Sequence, residues 1–438
     1  MPTPNSRLAD RTAFLYVLHK TGLLTPAQQV KASAALPPEA ATARQVAQFL
    51  VADGFLTRFQ ADRLLAGRTD GFVLGQYVIQ EQVGRGAVGR VYRANHRTMN
   101  RSVAIKVLNP ELTRTADARE AFEREVRAAA RLNHPNVVTA YDLNEVGGRP
   151  YLVLEFVDGP TLDALVRERG PLPVGHACEF VRQVAWGLQH AHEQGLVHRD
   201  VKPANLLVAR PSKSSPACLV KIADFGIART APAEPGGSRG LVGTPDYVAP
   251  EQADDPNRAD HRSDLYSLGC VFYFLLTGKP PFPGGTPQDK VRRHRSEEPV
   301  RVERLRPDVL PAVAGIVHKL LAKDPAARFA SAAELAERLE GLATGFGGPA
   351  VDGGSVGVEL PPPEPGTHSF TGGSLTGTGE TPADGSETSP WGQLTDEVAT
   401  PAARRAARAK EPRAAGLWWT ILVGCALAIG FVIRTLAQ

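Results

Sequence analysis

His198-Arg199-Asp200-Val201-Lys202-Pro203-Ala204-Asn205 sets a carboxylate, a cation and a carboxamide within eight residues. Further constellations flank it in a fixed order. Downstream come Asp224-Phe225-Gly226 and Ala249-Pro250-Glu251. Upstream, Val103-Ala104-Ile105-Lys106 lies on a strand-like run, and Glu125 lies on a helix-like one in Arg124-Glu125-Val126-Arg127. Further upstream, Gly84-Arg85-Gly86-Ala87-Val88-Gly89-Arg90-Val91 follows the strand-like run Tyr77–Val83. A lone GxGxxG is weak, and in a dinucleotide-binding fold it would open a helix. Here Arg90-Val91-Tyr92-Arg93-Ala94 continues as strand. The glycines therefore read as a hairpin whose backbone N–H groups can approach and cover phosphates. Singly, the hairpin would be a structural turn, and a Lys106–Glu125 pair a surface ion pair of little consequence. Five motifs in one order, with plausible gaps, outweigh those bland readings.

The periodicity around the motifs predicts strands at Tyr77–Val83, Gly89–Asn95, Ser102–Val107 and Pro150–Val157, with one helix at Ala118–Leu132. After Gly170 helical spacing dominates, at Val174–Gln194, Arg262–Leu276, Leu310–Leu321 and Ser331–Leu342. Strands first and helices afterwards predict an α+β fold with two lobes.

On these motifs, residues 77–340 resemble a protein kinase domain of the bacterial eukaryotic-like (Hanks-type) Ser/Thr class, and the motif set is specific. The resemblance implies the bilobal kinase fold, ATP and Mg²⁺ (with Mn²⁺ as the alternative ion), and protein substrates carrying Ser or Thr. It also implies the residue roles. Val83, Gly84, Arg85, Gly86, Ala87, Val88, Gly89, Arg90 and Val91 would cover the triphosphate. Lys106, held by Glu125, would grip the α- and β-phosphates. Asn205 and Asp224 are hard oxygen donors suited to Mg²⁺. Asp200 would orient the substrate hydroxyl and accept its proton, and Lys202 would counter charge on the γ-phosphoryl group. Glu155, Phe156 and Val157 would form the adenine hinge, with Leu154 at the back of the pocket and Val91, Ala104 and Leu207 sandwiching the base. His198 and Phe225 read as packing residues that align the loops. Thr244 in Gly243-Thr244-Pro245 would bond near Asp200, Glu251 would pair with Arg328, and Asp264 would anchor the catalytic-loop backbone.

Two departures stand out. Val88 occupies a loop-tip position where an aromatic is common. The segment between Asp224 and Glu251 holds only Thr230, Ser238 and Thr244 as Ser or Thr hydroxyls. Arg199 beside Asp200 suggests a loop switched by phosphorylation, because an arginine there can bind a phosphate, and Ser238 is the favoured acceptor. A pseudokinase scaffold is the rival reading, opposed by the presence of Lys106, Asp200 and Asp224. A small-molecule phosphotransferase is opposed by the Gly243-Thr-Pro and Ala249-Pro-Glu251 segments.

Outside the motif region the chain changes character. In residues 1–70, Leu18–Gln28 echoes Leu50–Gln60 at an offset of 32, each copy with a glycine (Gly22, Gly54) and then a capping threonine (Thr25, Thr57). This predicts a small helical module with a duplicated helix–turn–helix unit. Residues 341–413 form a linker. Its first 60 residues hold 14 Gly, 7 Pro, 14 Ser or Thr and no Lys or Arg, a composition too poor in apolar surface to offset chain entropy. A basic cluster (Arg404, Arg405, Arg408, Lys410, Arg413) then precedes the uncharged stretch 414–433. At ~1.5 Å per residue that stretch spans about 30 Å, the thickness of a bilayer core. It is expected to be a single transmembrane helix in the cytoplasmic membrane, with the kinase domain on the cytoplasmic side where the basic residues stay.

Composition removes other classes. Of 438 residues 42% are hydrophobic and 22% charged, and 50 Lys+Arg against 46 Asp+Glu leave a net charge of +4. That is too mild for a dedicated nucleic-acid binder. Cys178, Cys218, Cys270 and Cys425 share no paired or metal-like spacing, which fits a reducing compartment. The run Ala13–Leu18 is too short for the core of a secretory signal. Self-association and autophosphorylation are further expectations.

Overall fold

The computed structural model describes residues 10–86, 88–110, 114–211, 218–225, 244–255 and 258–343. Ala87, Gly226, Thr230, Ser238, Gly243, residues 212–217 and everything from Thr344 onward, including the linker beyond it, the basic cluster and 414–433, lie outside them.

Four helices open the described chain: α1 (Arg11–Thr21), α2 (Pro26–Ala35), α3 (Ala43–Ala52) and α4 (Arg58–Leu65). Their starts follow from side-chain caps. Asp10, Thr25, Thr42 and Thr57 each accept a backbone N–H of the first turn, and the three threonines form reciprocal capping boxes with Gln28, Gln45 and Gln60. Such a cap is worth ~1 kcal/mol. Phe14 and Leu18 of α1 and their counterparts Val46 and Leu50 of α3 are all buried in one cluster. Asp10 and Thr42, also 32 apart, are joined by an antiparallel bridge. That cluster reaches Phe72 and, beyond it, Val73 and Val78, so the helical module shares its core with the sheet that follows.

That sheet comprises β1 (Val73–Leu74), β2 (Tyr77–Gly86), β3 (Gly89–His96), β4 (Arg101–Leu108), β5 (Ala140–Val146) and β6 (Arg149–Glu155), with α5 (Ala116–Ala129) between β4 and β5. It is antiparallel, in the order β1-β2-β3-β4-β6-β5. Beneath it, Val83, Val91, Ala104, Phe122, Val126 and Leu154 join one buried cluster.

The second lobe is helical. It holds α6 (Leu162–Arg169), α7 (Val174–Glu193), the hairpin β7 (Leu206–Ala209)–β8 (Leu219–Ile222), α8 (Pro250–Asp254), α9 (His261–Thr277), α10 (Pro287–Ser296), α11 (Val302–Leu305), α12 (Pro311–Leu320) and α13 (Ala332–Ala343). Every residue of α9 from Ser263 to Leu276 is buried, the pattern of a helix packed on all sides. Gly269 permits this, because a Cβ there would sit 2.6 Å from Cβ of Leu320. The arrangement is the bilobal α+β fold that the element order predicts. Among the described residues no helix is long and apolar enough to cross a membrane.

Candidate active site

The β2–β3 hairpin carries the glycine-rich loop, with Gly84 opposite Val91 and Gly86 opposite Gly89. Only glycine fits at 89, since a Cβ would lie 2.0 Å from the Val107 carbonyl oxygen. The loop is tied to β4 by a hydrogen bond from Asn109 N–H to the Val88 carbonyl, 2.9 Å. Val88, at the tip where an aromatic is common, packs inward on the cluster below the sheet. Arg85 is exposed and Arg90 partly exposed.

Below the loop the apolar residues expected to hold a base come together. Val83, Val91, Ala104, Leu154, Val157 and Leu207 are all buried in one cluster with Ala223. Leu154 also lines a small cavity of about 30 Å³ that reaches Asp224 and Phe225. Glu155 is committed elsewhere: its carboxylate accepts from Lys221 Nζ (3.0 Å) and from Thr139 N–H (3.2 Å), and its own N–H donates to the Thr139 carbonyl (2.8 Å). Lys221 carried no signal in the sequence reading, because a lysine on a short strand looks like an exposed one.

Lys106, on β4 opposite Val91 and Leu152, is buried along its stem. Its Nζ lies 2.7 Å from Oδ1 of Asp224. The sequence leads one to expect Glu125 beside Lys106; the ion pair seen at its Nζ is with Asp224. The Asp224 side chain is 16% exposed, and a partly enclosed carboxylate is favoured by a cation in direct contact. Burial pushes the Asp224 carboxyl up, but the Lys106 ammonium, with His198 and Lys202, outweighs it and holds the group below the usual carboxylate range. Glu125 stands half-buried on α5 between the buried Phe122 and Val126.

The catalytic-loop stretch is built on Asp264 of α9, which is fully buried. Its two oxygens accept from the backbone N–H groups of His198 (2.8 Å) and Arg199 (2.7 Å), and Oδ2 also meets His192 Nε2 at 2.8 Å. Burial raises the Asp264 carboxyl, and the contacts from His192 and His198 bring it below its ordinary value. Arg199 and Asp224 hold φ of 65° and 66°, a left-handed conformation that costs a non-glycine residue of order 1–3 kcal/mol and persists only where surroundings enforce it. Gln252 fixes the Arg199 carbonyl at 2.7 Å. His198 accepts the Asp200 N–H at Nδ1 (3.2 Å), so its Nε2 carries the proton donated to the Ala223 carbonyl (2.9 Å). Its ring packs 4.7 Å from that of Phe225. The two loops are thereby joined, and both residues serve as packing and alignment groups.

On this frame four side chains converge. Lys202 Nζ lies 2.6 Å from Asp200 Oδ2 and donates to Thr244 Oγ1 at 2.9 Å. Thr244 Oγ1 stands 3.5 Å from Asp200 Oδ1. Asn205 Nδ2 donates to both the carbonyl (2.9 Å) and Oδ2 (3.1 Å) of Asp200, which turns its amide oxygen the other way, as an oxygen that can ligate a cation. Behind them, Arg328 and Glu251 form a bidentate pair at 2.8 and 2.9 Å. Burial raises the Glu251 carboxyl, and the Arg328 guanidinium, aided by Ser263, brings it below its usual range.

The arrangement therefore sets a buried apolar cluster below a glycine-rich hairpin, with one cation beneath it and a carboxylate held beside a hydroxyl and an ammonium. The protein kinase domain family matches residues 77–338. The serine/threonine-protein kinase PknB of Mycolicibacterium smegmatis is 41% identical over 268 residues, which cover 59% of this chain and 42% of that protein. PknB of Mycobacterium leprae is 38% identical over 266 residues, with the same coverage. The chain thus matches less than half the length of these curated relatives. A double-mutant form of the Mycobacterium tuberculosis PknI kinase domain superposes with a TM-score of 0.50 at 30% identity, over 62% of this chain and 98% of that one. With the fold, the ordered motifs and the family match over residues 77–338 in agreement, the chain belongs to the protein kinase domain family.

Proposed function

We propose that the protein is a Ser/Thr protein kinase that transfers the γ-phosphoryl group of ATP to hydroxyls of protein substrates. One observation carries the reading: Asp200 is held simultaneously by Lys202, Asn205 and Thr244, while Lys106 reaches Asp224 across the cleft. Phosphoryl transfer asks little covalent chemistry of the protein, and positioning with charge neutralisation does most of it. Asp200 orients the substrate hydroxyl, whose oxygen forms the new bond to the γ-phosphorus as the bond to the bridging oxygen breaks and ADP leaves. The hydroxyl proton passes to Asp200. Lys202 offsets charge on the transferring group, and Lys106 steadies the remaining phosphates. The donor set of one carboxylate oxygen from Asp224 and the amide oxygen of Asn205 suits Mg²⁺, or Mn²⁺, which favours a few hard oxygen ligands alongside phosphate. When bound, the ion would neutralise phosphate charge between these two residues.

The preference for Ser/Thr over Tyr rests on Lys202 and Thr244. The uncharged stretch 414–433, after its five basic residues, supports anchoring to the cytoplasmic membrane with the kinase on the cytoplasmic face. The tethered linker, rich in Ser and Thr, supports autophosphorylation between Thr344 and Thr400, because tethering raises effective concentration. Incubating the full chain in detergent with Mg-ATP and mapping phosphosites by mass spectrometry tests these points together. Phosphoserine and phosphothreonine are expected on the chain and on an added protein substrate. Absence of transfer, or transfer to tyrosine alone, overturns the assignment.

A further inference from the structure

The β1 strand begins only at Val73, opposite Val78, so beyond the bond from Ile79 N–H to the Phe72 carbonyl (2.8 Å) the outer edge of β2 has no strand beside it among the described residues. This is the strand that leads into the phosphate loop, and its pairing with β3 slips at two places, between Ile79 and Glu81 and between Gln82 and Gly84. Such bulges redirect a strand and must be pinned to aim it reproducibly. The pin comes from the helical module. Gln60 is almost fully buried, and its Nε2 donates to the Ile79 carbonyl at 2.6 Å. The Thr57 hydroxyl donates to the next carbonyl, Gln80. Both carbonyls lie at the first bulge.

The contrast within the module is informative. Thr25–Gln28 and Thr42–Gln45 are the same capping box, yet their bonds are solvent-exposed and stay within the box. At Thr57–Gln60 the glutamine oxygen still caps the Thr57 N–H at 2.9 Å, while its amide and the threonine hydroxyl turn to the sheet. Phe59 completes the contact, its ring 6.4 Å from that of Tyr92. Tyr92 lies on β3 next to Val91, so its side chain points to the face opposite the one where Val91 meets the nucleotide slot.

We infer that Gln60, with Thr57, is a positioning residue for the nucleotide loop: the N-terminal module holds the bulged edge of β2 and thereby aims Val83–Val91. The inference rests on the kinase reading for its consequence, though its structural part does not. The test uses the full chain and four variants. Gln60→Glu keeps the cap acceptor and loses the donor to Ile79, Gln60→Ala loses both, Thr57→Ser keeps the hydroxyl, and Gln28→Ala removes an equivalent cap far from the sheet. Hydrogen exchange of amides 79–91 and nucleotide affinity are measured on each, with KM for ATP and kcat separately. Both Gln60 variants are expected to speed exchange over 79–91 and to weaken ATP affinity by about five-fold, the scale of one lost buried hydrogen bond. The rise is expected in KM, with kcat little changed. Thr57→Ser and Gln28→Ala are expected to match the parent. Unchanged exchange or unchanged affinity in both Gln60 variants overturns the inference, as does an equal effect from Gln28→Ala. If the parent chain binds no ATP, the kinase reading fails by itself, and the exchange data still decide whether the module holds the loop.

Discussion

Lys202 and Thr244, 42 residues apart, meet at 2.9 Å beside Asp200, and this contact joins the catalytic loop to the segment that leads into Ala249-Pro250-Glu251. An ammonium that bonds both the carboxylate and a hydroxyl fixes where a substrate oxygen can enter. Thr244→Val should lower kcat by roughly 10-fold or more, the cost of a charge-assisted hydrogen bond, with KM for ATP nearly unchanged. Thr244→Ser should retain most turnover. Steady-state kinetics with a peptide substrate separates these outcomes.

The Arg328–Glu251 pair should matter for stability. The Arg328 side chain is wholly enclosed and also donates to the carbonyls of Ala322, Arg262 and Lys323. Removing one partner of a buried pair leaves the other charge uncompensated, at about 3–5 kcal/mol. Arg328→Met should therefore shift the urea midpoint strongly, and a shift corresponding to less than ~1 kcal/mol would show that the pair behaves like a surface one.

His294 supplies a pH dependence. It is fully enclosed, its Nδ1 bonded to the Tyr266 hydroxyl at 2.9 Å. Burial, reinforced by Lys323, pushes its pKa down to about 3 from 6.5. Between those values the unfolded chain binds a proton that the folded chain refuses. Stability should thus be level above about pH 6.5 and fall as pH drops below it, by up to ~1.4 kcal/mol per unit from this group. Below the ordinary carboxylate range the lowered groups Asp224, Asp264 and Glu251 act in the same direction. His294→Gln should flatten the urea midpoint between pH 5 and 7, and an unaltered slope would contradict the assignment.

Membrane anchoring makes its own prediction. Protease added outside spheroplasts should leave the kinase domain intact, and the full chain should require detergent. Digestion from outside, or full solubility without detergent, would overturn the proposed topology.

The sequence was most readable where function restricts it. The strand expected at Ser102–Val107 is β4, and the helix expected at Val174–Gln194 is α7, each within a residue or two. Asp264 and Arg328 were legible because their partners belong to ordered motifs. By contrast β5, Ala-Tyr-Asp-Leu-Asn-Glu-Val, is an edge strand with no fully buried residue, so it lacks the alternation that identifies a strand. α10 is similarly hidden, since its Arg-Arg-His-Arg run masks the two positions, Val291 and His294, that turn inward. The contact of Lys106 with Asp224, 118 residues further along the chain, depends on the three-dimensional fold, which spacing does not encode. The role of Gln60 was invisible for the same reason, because three boxes share its chemistry and only the fold distinguishes them.

The most direct test of the account is Asp200→Asn, followed by nucleotide titration and phosphoryl transfer on the same preparation. Asp200 contacts Lys202, Asn205 and Thr244, whereas the base is proposed to rest against Val91, Ala104 and Leu207. ATP affinity should stay within about two-fold of the parent chain, a difference below ~0.5 kcal/mol. Transfer should fall by at least 10²-fold, the lower bound for a positioned proton acceptor. Transfer at the parent rate would contradict the assignment of Asp200, and with it the reading of the site.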